Sequence, residues 1–142
     1  LSRLVGSEMC IRDSYKTEWK VFDSKSSVAG TIDMVYKKPN GELFIFDWKR
    51  TTKLVNDIGT IIKSDFEYGY DELENLSNNS YNKYCLQQNL YKYILEDNYG
   101  EKVSSMNILV LHPRYHTYFH LQVPNLIKET EFLIRKAREK SI

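Results

Sequence analysis

The stretch Gly30-Thr31-Ile32-Asp33-Met34-Val35-Tyr36-Lys37-Lys38-Pro39-Asn40-Gly41-Glu42-Leu43-Phe44-Ile45-Phe46-Asp47-Trp48-Lys49 decides the fold. Two apolar runs flank Asn40-Gly41, a strong short-range signal for a β-hairpin. Each run holds an aspartate. A carboxylate inside an apolar strand is costly unless it is paired or holds a cation. With side chains alternating at period two, Asp47 and Lys49 share one face, and Phe44, Phe46 and Trp48 take the other. On the first run Thr31, Asp33 and Val35 are expected to share a face. If the two aspartate faces meet, two carboxylates and one ammonium converge.

The hairpin extends outward into an ordered series of elements. A strand is expected over Trp19–Phe22, followed by a polar turn at 23–27 and a second strand over Val28–Tyr36. Gly30 inside that strand suggests a bulge or a close backbone approach. The third strand, Leu43–Lys49, is apolar enough before Asp47 to be central. Arg50–Ser80 is hard to read, with at most a short helix or strand within 54–64. The acidic group Asp65, Glu67, Asp71, Glu72 and Glu74 reads as solvated surface.

The spacing over Tyr81–Asn98 predicts a helix. Tyr84, Gln87, Gln88, Tyr91 and Leu95 follow three-and-four spacing, as do Leu86, Leu90 and Ile94. A strand follows at Ser105–Leu111 and another at Tyr115–Val123. The last strand should place Thr117, Phe119, Leu121 and Val123 inward and His116, Tyr118, His120 and Gln122 outward. A closing helix over Leu126–Lys140 should turn Ile127, Phe132, Ile134 and Ala137 inward. The fold class is therefore α/β, a mixed central sheet flanked by helices.

Composition bounds the function. The 142 residues fit one domain over 15–142. The net charge of +1 provides no global basic field, so nucleic-acid binding needs a local basic cleft. Two cysteines, Cys10 and Cys85, form neither a metal motif nor a disulfide framework, which favours an intracellular, reducing compartment over secretion. No apolar run suits a membrane span. Leu1–Ser14 shows no fold logic. Glu8–Ser14 matches the translation of a common transposase adaptor used in sequencing libraries, so this segment is expected to be non-native.

Asp33, Asp47 and Lys49 suit phosphodiester hydrolysis with Mg2+ or Mn2+. Hard oxygen donors bind these ions, and an ammonium can orient water or hold a phosphate oxygen. A buried Asp–Lys salt bridge beside a separately capped aspartate explains the same spacing. His112, His116 and His120 recur every four residues, but Pro113 and the strand pattern argue against a helical metal face. Lys37, Lys38, Arg50, Lys53 and Lys63 could contact phosphates, and each also reads as solvated surface. Tyr68, Tyr70, Tyr81 and Tyr84 could stack bases or simply pack.

Gly30-Thr31-Ile32-Asp33, the strand ending Asp47-Trp48-Lys49, and Gln87-Gln88-Asn89-Leu90-Tyr91 together resemble the PD-(D/E)XK nuclease superfamily. The RecB-like, Cas4-like and viral exonuclease branch is the nearest. The texture is also similar to nuclease-like proteins of large DNA viruses. The resemblance spans about 28–95 and implies a restriction-endonuclease-like core. It assigns catalytic roles to Asp33, Asp47, Lys49, Gln87 and Tyr91. It implies metal ligation by Asp33, Asp47 and the Trp48 carbonyl, and DNA contacts from Arg50, Lys53 and Lys37. The implied activity is Mg2+-dependent cleavage of single- or double-stranded DNA, as an exonuclease or endonuclease of recombination or repair. The alternative is a degenerate nuclease-fold module that binds nucleic acid or acts as a scaffold. Many members of this branch add an acid or histidine on a helix before the first strand. Here that region is missing or replaced by the foreign segment, and Glu18 is the only native-looking acid nearby. The domain is therefore expected to be incomplete at its N-terminus.

Overall fold

The structure, a computed structural model, describes residues 15–62 and 80–140. Five strands and two helices follow one another as β1 (Lys16–Phe22), β2 (Ala29–Lys37), β3 (Leu43–Arg50), α1 (Ser80–Asn98), β4 (Val103–Leu111), β5 (Phe119–Gln122) and α2 (Ile127–Lys140). The strands form one mixed sheet in the order β1-β2-β3-β4-β5. All neighbours are antiparallel except β3 and β4, which run parallel and are joined by the crossover that contains α1. Residues 1–14 and the acidic group at 65–74 lie outside the described residues, as does Lys63.

The hairpin forms where the Asn-Gly signal places it. Lys38 N–H donates to the Glu42 carbonyl at 2.8 Å, and Gly41 takes φ of 89°, which a side chain would strain. The central position of β3 follows from its composition. Leu43, Ile45 and Phe46 are all buried, on opposite faces of the strand.

One face of the sheet packs against α1. Leu43, Ile45, Ile108 and Val110 join Tyr91, Ile94 and Leu95 in the main core. On the opposite face Met34, Phe46 and Leu109 cluster, bordered by Tyr36, Phe44, Trp48 and Tyr118. α2 lies along α1, held by Asn89. That side chain donates to the Cys85 and Pro124 carbonyls and accepts from Leu126 N–H at 2.8 Å.

The strict alternation expected on β2 fails at Asp33. Ile32 and Val35, three residues apart, both enter the main core, while Met34 enters the opposite cluster. The cause lies in the pairing with β1. Thr17 faces Met34 and Trp19 faces Ile32, but Glu18 between them has φ of 49° and leaves the ladder. The two strands change phase together there, so Asp33 sits at a break and not in the middle of a regular face.

Three further expectations are corrected. The last strand is only Phe119–Gln122, and residues 112–118 turn instead. Tyr115 anchors that turn by donating its hydroxyl to the Val55 carbonyl at 2.7 Å, and Thr117 is exposed. Ile127 is 62% exposed because it opens α2, ahead of the face that buries Thr130, Phe132 and Ile134. Between 54 and 62 there is a single bridge, Val55 to Ile61, closed by a turn around Asn56.

Candidate active site

β3 supplies the centre of the site. Asp47 is 4% exposed, and its Oδ2 lies 2.8 Å from Lys49 Nζ. That contact is close but poorly aligned, so Asp47 Oδ2 has no well-formed hydrogen bond among the described residues. Asp33 reaches the same place from β2. Its Oδ2 accepts the Trp48 N–H at 3.0 Å, and its carboxyl comes within hydrogen-bonding reach of Asp47. Burial, the neighbouring Asp33 carboxyl and incomplete compensation by Lys49 push Asp47 up from the usual carboxylate range to about 7.

The β2–β3 ladder stops at Met34–Phe46, one pair short of Asp33 and Asp47. An Asp33 side-chain oxygen replaces the next backbone acceptor for Trp48 N–H. The N–H and C=O of one strand residue point to the same side. The Trp48 carbonyl therefore faces the opening beyond the ladder, where both carboxylates are.

α1 closes the site from above. Gln87 Oε1 accepts from Lys49 Nζ at 3.3 Å, and the Tyr84 ring lies 4.3 Å from the same ammonium. These contacts pin a lysine that would otherwise sample many rotamers. Gln87 and Tyr91 lie one helical turn apart on the same face of α1. The Tyr91 phenol is raised above its ordinary value by burial and by the nearby Asp47 and Asp33 charges. Gly30 makes this approach possible. A Cβ there would run into the Tyr91 ring, with the hydroxyl oxygen only 2.9 Å away.

Asp33, Asp47, Lys49, Gln87 and Tyr91 therefore converge, and Trp48 contributes its backbone. Arg50 ends β3 and Lys53 follows it in the next loop, and both are exposed. Lys37 does not join them. It pairs with Leu43 at the turn end of β2, with its ammonium over Tyr15 and 3.8 Å from Glu101. An extended strand rises ~3.3 Å per residue, which carries position 37 well away from Asp33. Glu18 is exposed and stands opposite Asp33 on β1. Among the described residues no three acidic, histidine or cysteine side chains gather as a larger metal cluster.

Two features at or near the site escape sequence reasoning. Tyr84 reads as a core or stacking residue, yet it partners the lysine. Gln88 is fully buried, and neither amide atom has a hydrogen-bond partner among the described residues. The three-and-four spacing placed Gln88 inward but could not show that its amide would be left alone.

No family model and no curated protein matches the chain. Among solved structures, SSO0001 is similar at 11% identity and a TM-score of 0.48, over 89% of this chain and 50% of that one. A candidate exonuclease from Eubacterium rectale is similar at 17% identity and a TM-score of 0.48, over 89% of this chain and 46% of that one. The chain spans about half the length of these two proteins. No helix among the described residues is long and apolar enough to cross a membrane.

Proposed function

We propose that this chain carries a metal-dependent nuclease site that hydrolyses phosphodiester bonds in DNA. The observation that carries this reading is the convergence of two carboxylates within hydrogen-bonding reach of each other, with one ammonium 2.8 Å from Asp47. The resemblance of the three linked motifs to the PD-(D/E)XK superfamily supports it.

The residues fit a divalent cation. A buried carboxylate oxygen lacks a well-formed hydrogen bond, and the carboxyl pair favours a proton up to near neutrality, so the site is short of positive charge. Asp33, Asp47 and the Trp48 carbonyl would hold Mg2+ or Mn2+. When bound, such an ion lowers the pKa of its water and neutralises charge on the scissile phosphate.

Lys49 offers a fixed positive charge to a phosphate oxygen or to the attacking water. Gln87 and Tyr84 hold that ammonium in place. Tyr91, packed on Gly30, walls the site against β2. Arg50 and Lys53, exposed just beyond Lys49 in the chain, would contact the DNA backbone.

The test is cleavage of labelled single- and double-stranded DNA with Mg2+ or Mn2+ by the chain, Asp47→Ala and Lys49→Ala. Each substitution is expected to lower the rate by about 10²-fold or more. Full activity in both would overturn the proposal. Salt-sensitive DNA binding without cleavage under either metal would instead support the degenerate module, a reading that the donor set of only two described carboxylates favours.

A further inference from the structure

A cleft of about 460 Å³ opens at the carboxyl ends of β3 and β4, beside Lys49 and under the 112–118 turn. Its walls include Trp48, Arg50, His112, Pro113 and Tyr118, with no carboxylate among the described residues that line it. Its size falls within the range of small-ligand sites. Ligands of open α/β sheets commonly bind outside the carboxyl ends of the strands.

The chemistry of the walls is specific. Trp48 and Tyr118 border the apolar cluster of Met34, Phe46 and Leu109 on the sheet face away from α1, and both are half-buried. Arg50 is exposed and has no acidic partner among the described residues. His112 accepts the Arg114 N–H at its Nδ1 at 3.1 Å, so the neutral ring carries its proton on Nε2 and can donate from there. The cleft thus combines flat apolar faces, a guanidinium and an imidazole donor, with Lys49 at its rim. A nucleotide combines a flat base with an anionic phosphate.

We infer that this cleft is a nucleotide subsite, where one base of the substrate strand stacks on Trp48 and Tyr118 while Arg50 and His112 hold its phosphate. The subsite rests on the nuclease reading for its biological role. It would seat the nucleotide next to the scissile bond, because Lys49 belongs to both places. A base stacked on an aromatic ring is worth ~1–3 kcal/mol, about 5- to 150-fold in affinity.

The test is a fluorescence titration that needs no cleavage. The chain contains two tryptophans, Trp19 and Trp48, so Trp19→Phe leaves Trp48 as the sole reporter. In EDTA, a ten-residue oligothymidylate is expected to quench Trp48 emission, whereas inorganic phosphate at equal anion concentration is not. Arg50→Ala and Tyr118→Ala in that background should each weaken binding about tenfold. Oligonucleotide binding with Trp48 emission unmoved would overturn the subsite, as would unchanged affinity in both wall variants. Equal quenching by phosphate would overturn base recognition. DNA cleavage without a Trp48 response would leave the nuclease reading intact while removing the subsite. A Trp48 response without cleavage under any divalent metal would do the reverse.

Discussion

Replacing Asp47 with asparagine separates a functional carboxylate from a structural one. Asp47 is almost wholly buried, faces Asp33, and has one poorly aligned ammonium as compensation. The rise from 3.8 to about 7 corresponds to about 4 kcal/mol for holding the ionised form above neutrality. Between those two values the native state binds more protons than the unfolded chain, so metal-free stability should fall as pH rises from about 4 to 7. Asparagine lacks the charge and abolishes that fall. Part of the gain is lost to burying an amide, leaving about 1–2 kcal/mol at pH 8, or ~3–8 °C in Tm for a domain of this size. The assay is thermal unfolding of both proteins in EDTA from pH 4 to pH 8. Asp47→Asn should melt higher at pH 8 and converge with the wild type near pH 4. Added Mg2+ should raise Tm only in the wild type. A loss of about 3–5 kcal/mol at pH 8 is the signature of breaking a structural buried ion pair and would refute the reasoning.

Asp23 should behave in the opposite sense. It is fully buried, bound by Arg138 at 3.0 and 3.2 Å, by Asn98 at 3.0 Å and by Ser26, and the Arg138 guanidinium holds its carboxyl well below the usual range. Its contribution is complete above about pH 4 and disappears as pH falls toward its folded value. Asp23→Ala should cost about 3 kcal/mol or more in urea unfolding at pH 7, and markedly less at pH 2; an equal loss at both would contradict the charge argument. Gly30→Ala should cost ~1–3 kcal/mol by displacing the Tyr91 ring, and a second substitution, Tyr91→Leu, should recover part of that. Strict additivity of the two would mean that Gly30 and Tyr91 do not touch. Gln88→Met should stabilise the chain by about 1 kcal/mol, because it removes a buried amide with no partner; a clear loss by chemical denaturation would show that the amide is bonded through water.

Regular structure was legible where local chemistry and periodicity agreed. The Asn40-Gly41 turn, the apolar β3 and the three-and-four spacing of α1 gave the element order and the mixed sheet. The convergence of Asp33, Asp47, Lys49, Gln87 and Tyr91 was readable because short motifs on consecutive elements pointed to one place. What was lost depends on long-range partners. The phase change at Asp33 is shared with Glu18 on the neighbouring strand, which no period on β2 alone contains. The turn at 112–118 is fixed by Tyr115 reaching Val55, sixty residues away. Asp23 looked like an ordinary polar turn residue because Arg138, its partner, lies 115 positions along the chain. Lys37 was misplaced because proximity in sequence to Asp33 is distance along an extended strand.

The irregular backbone at Glu18 has a consequence for how copies of this chain meet. Among the described residues β1 is an edge strand, with one side unpaired within the sheet. A long, flat edge invites another molecule to add a strand and start aggregation. Here the left-handed kink at Glu18 interrupts the edge near its middle, and exposed Lys20 adds charge beyond it. An incoming strand could follow only a short segment before losing register. The residue that lets β2 present Asp33 to β3 therefore also keeps the outer rim of the sheet from acting as a template.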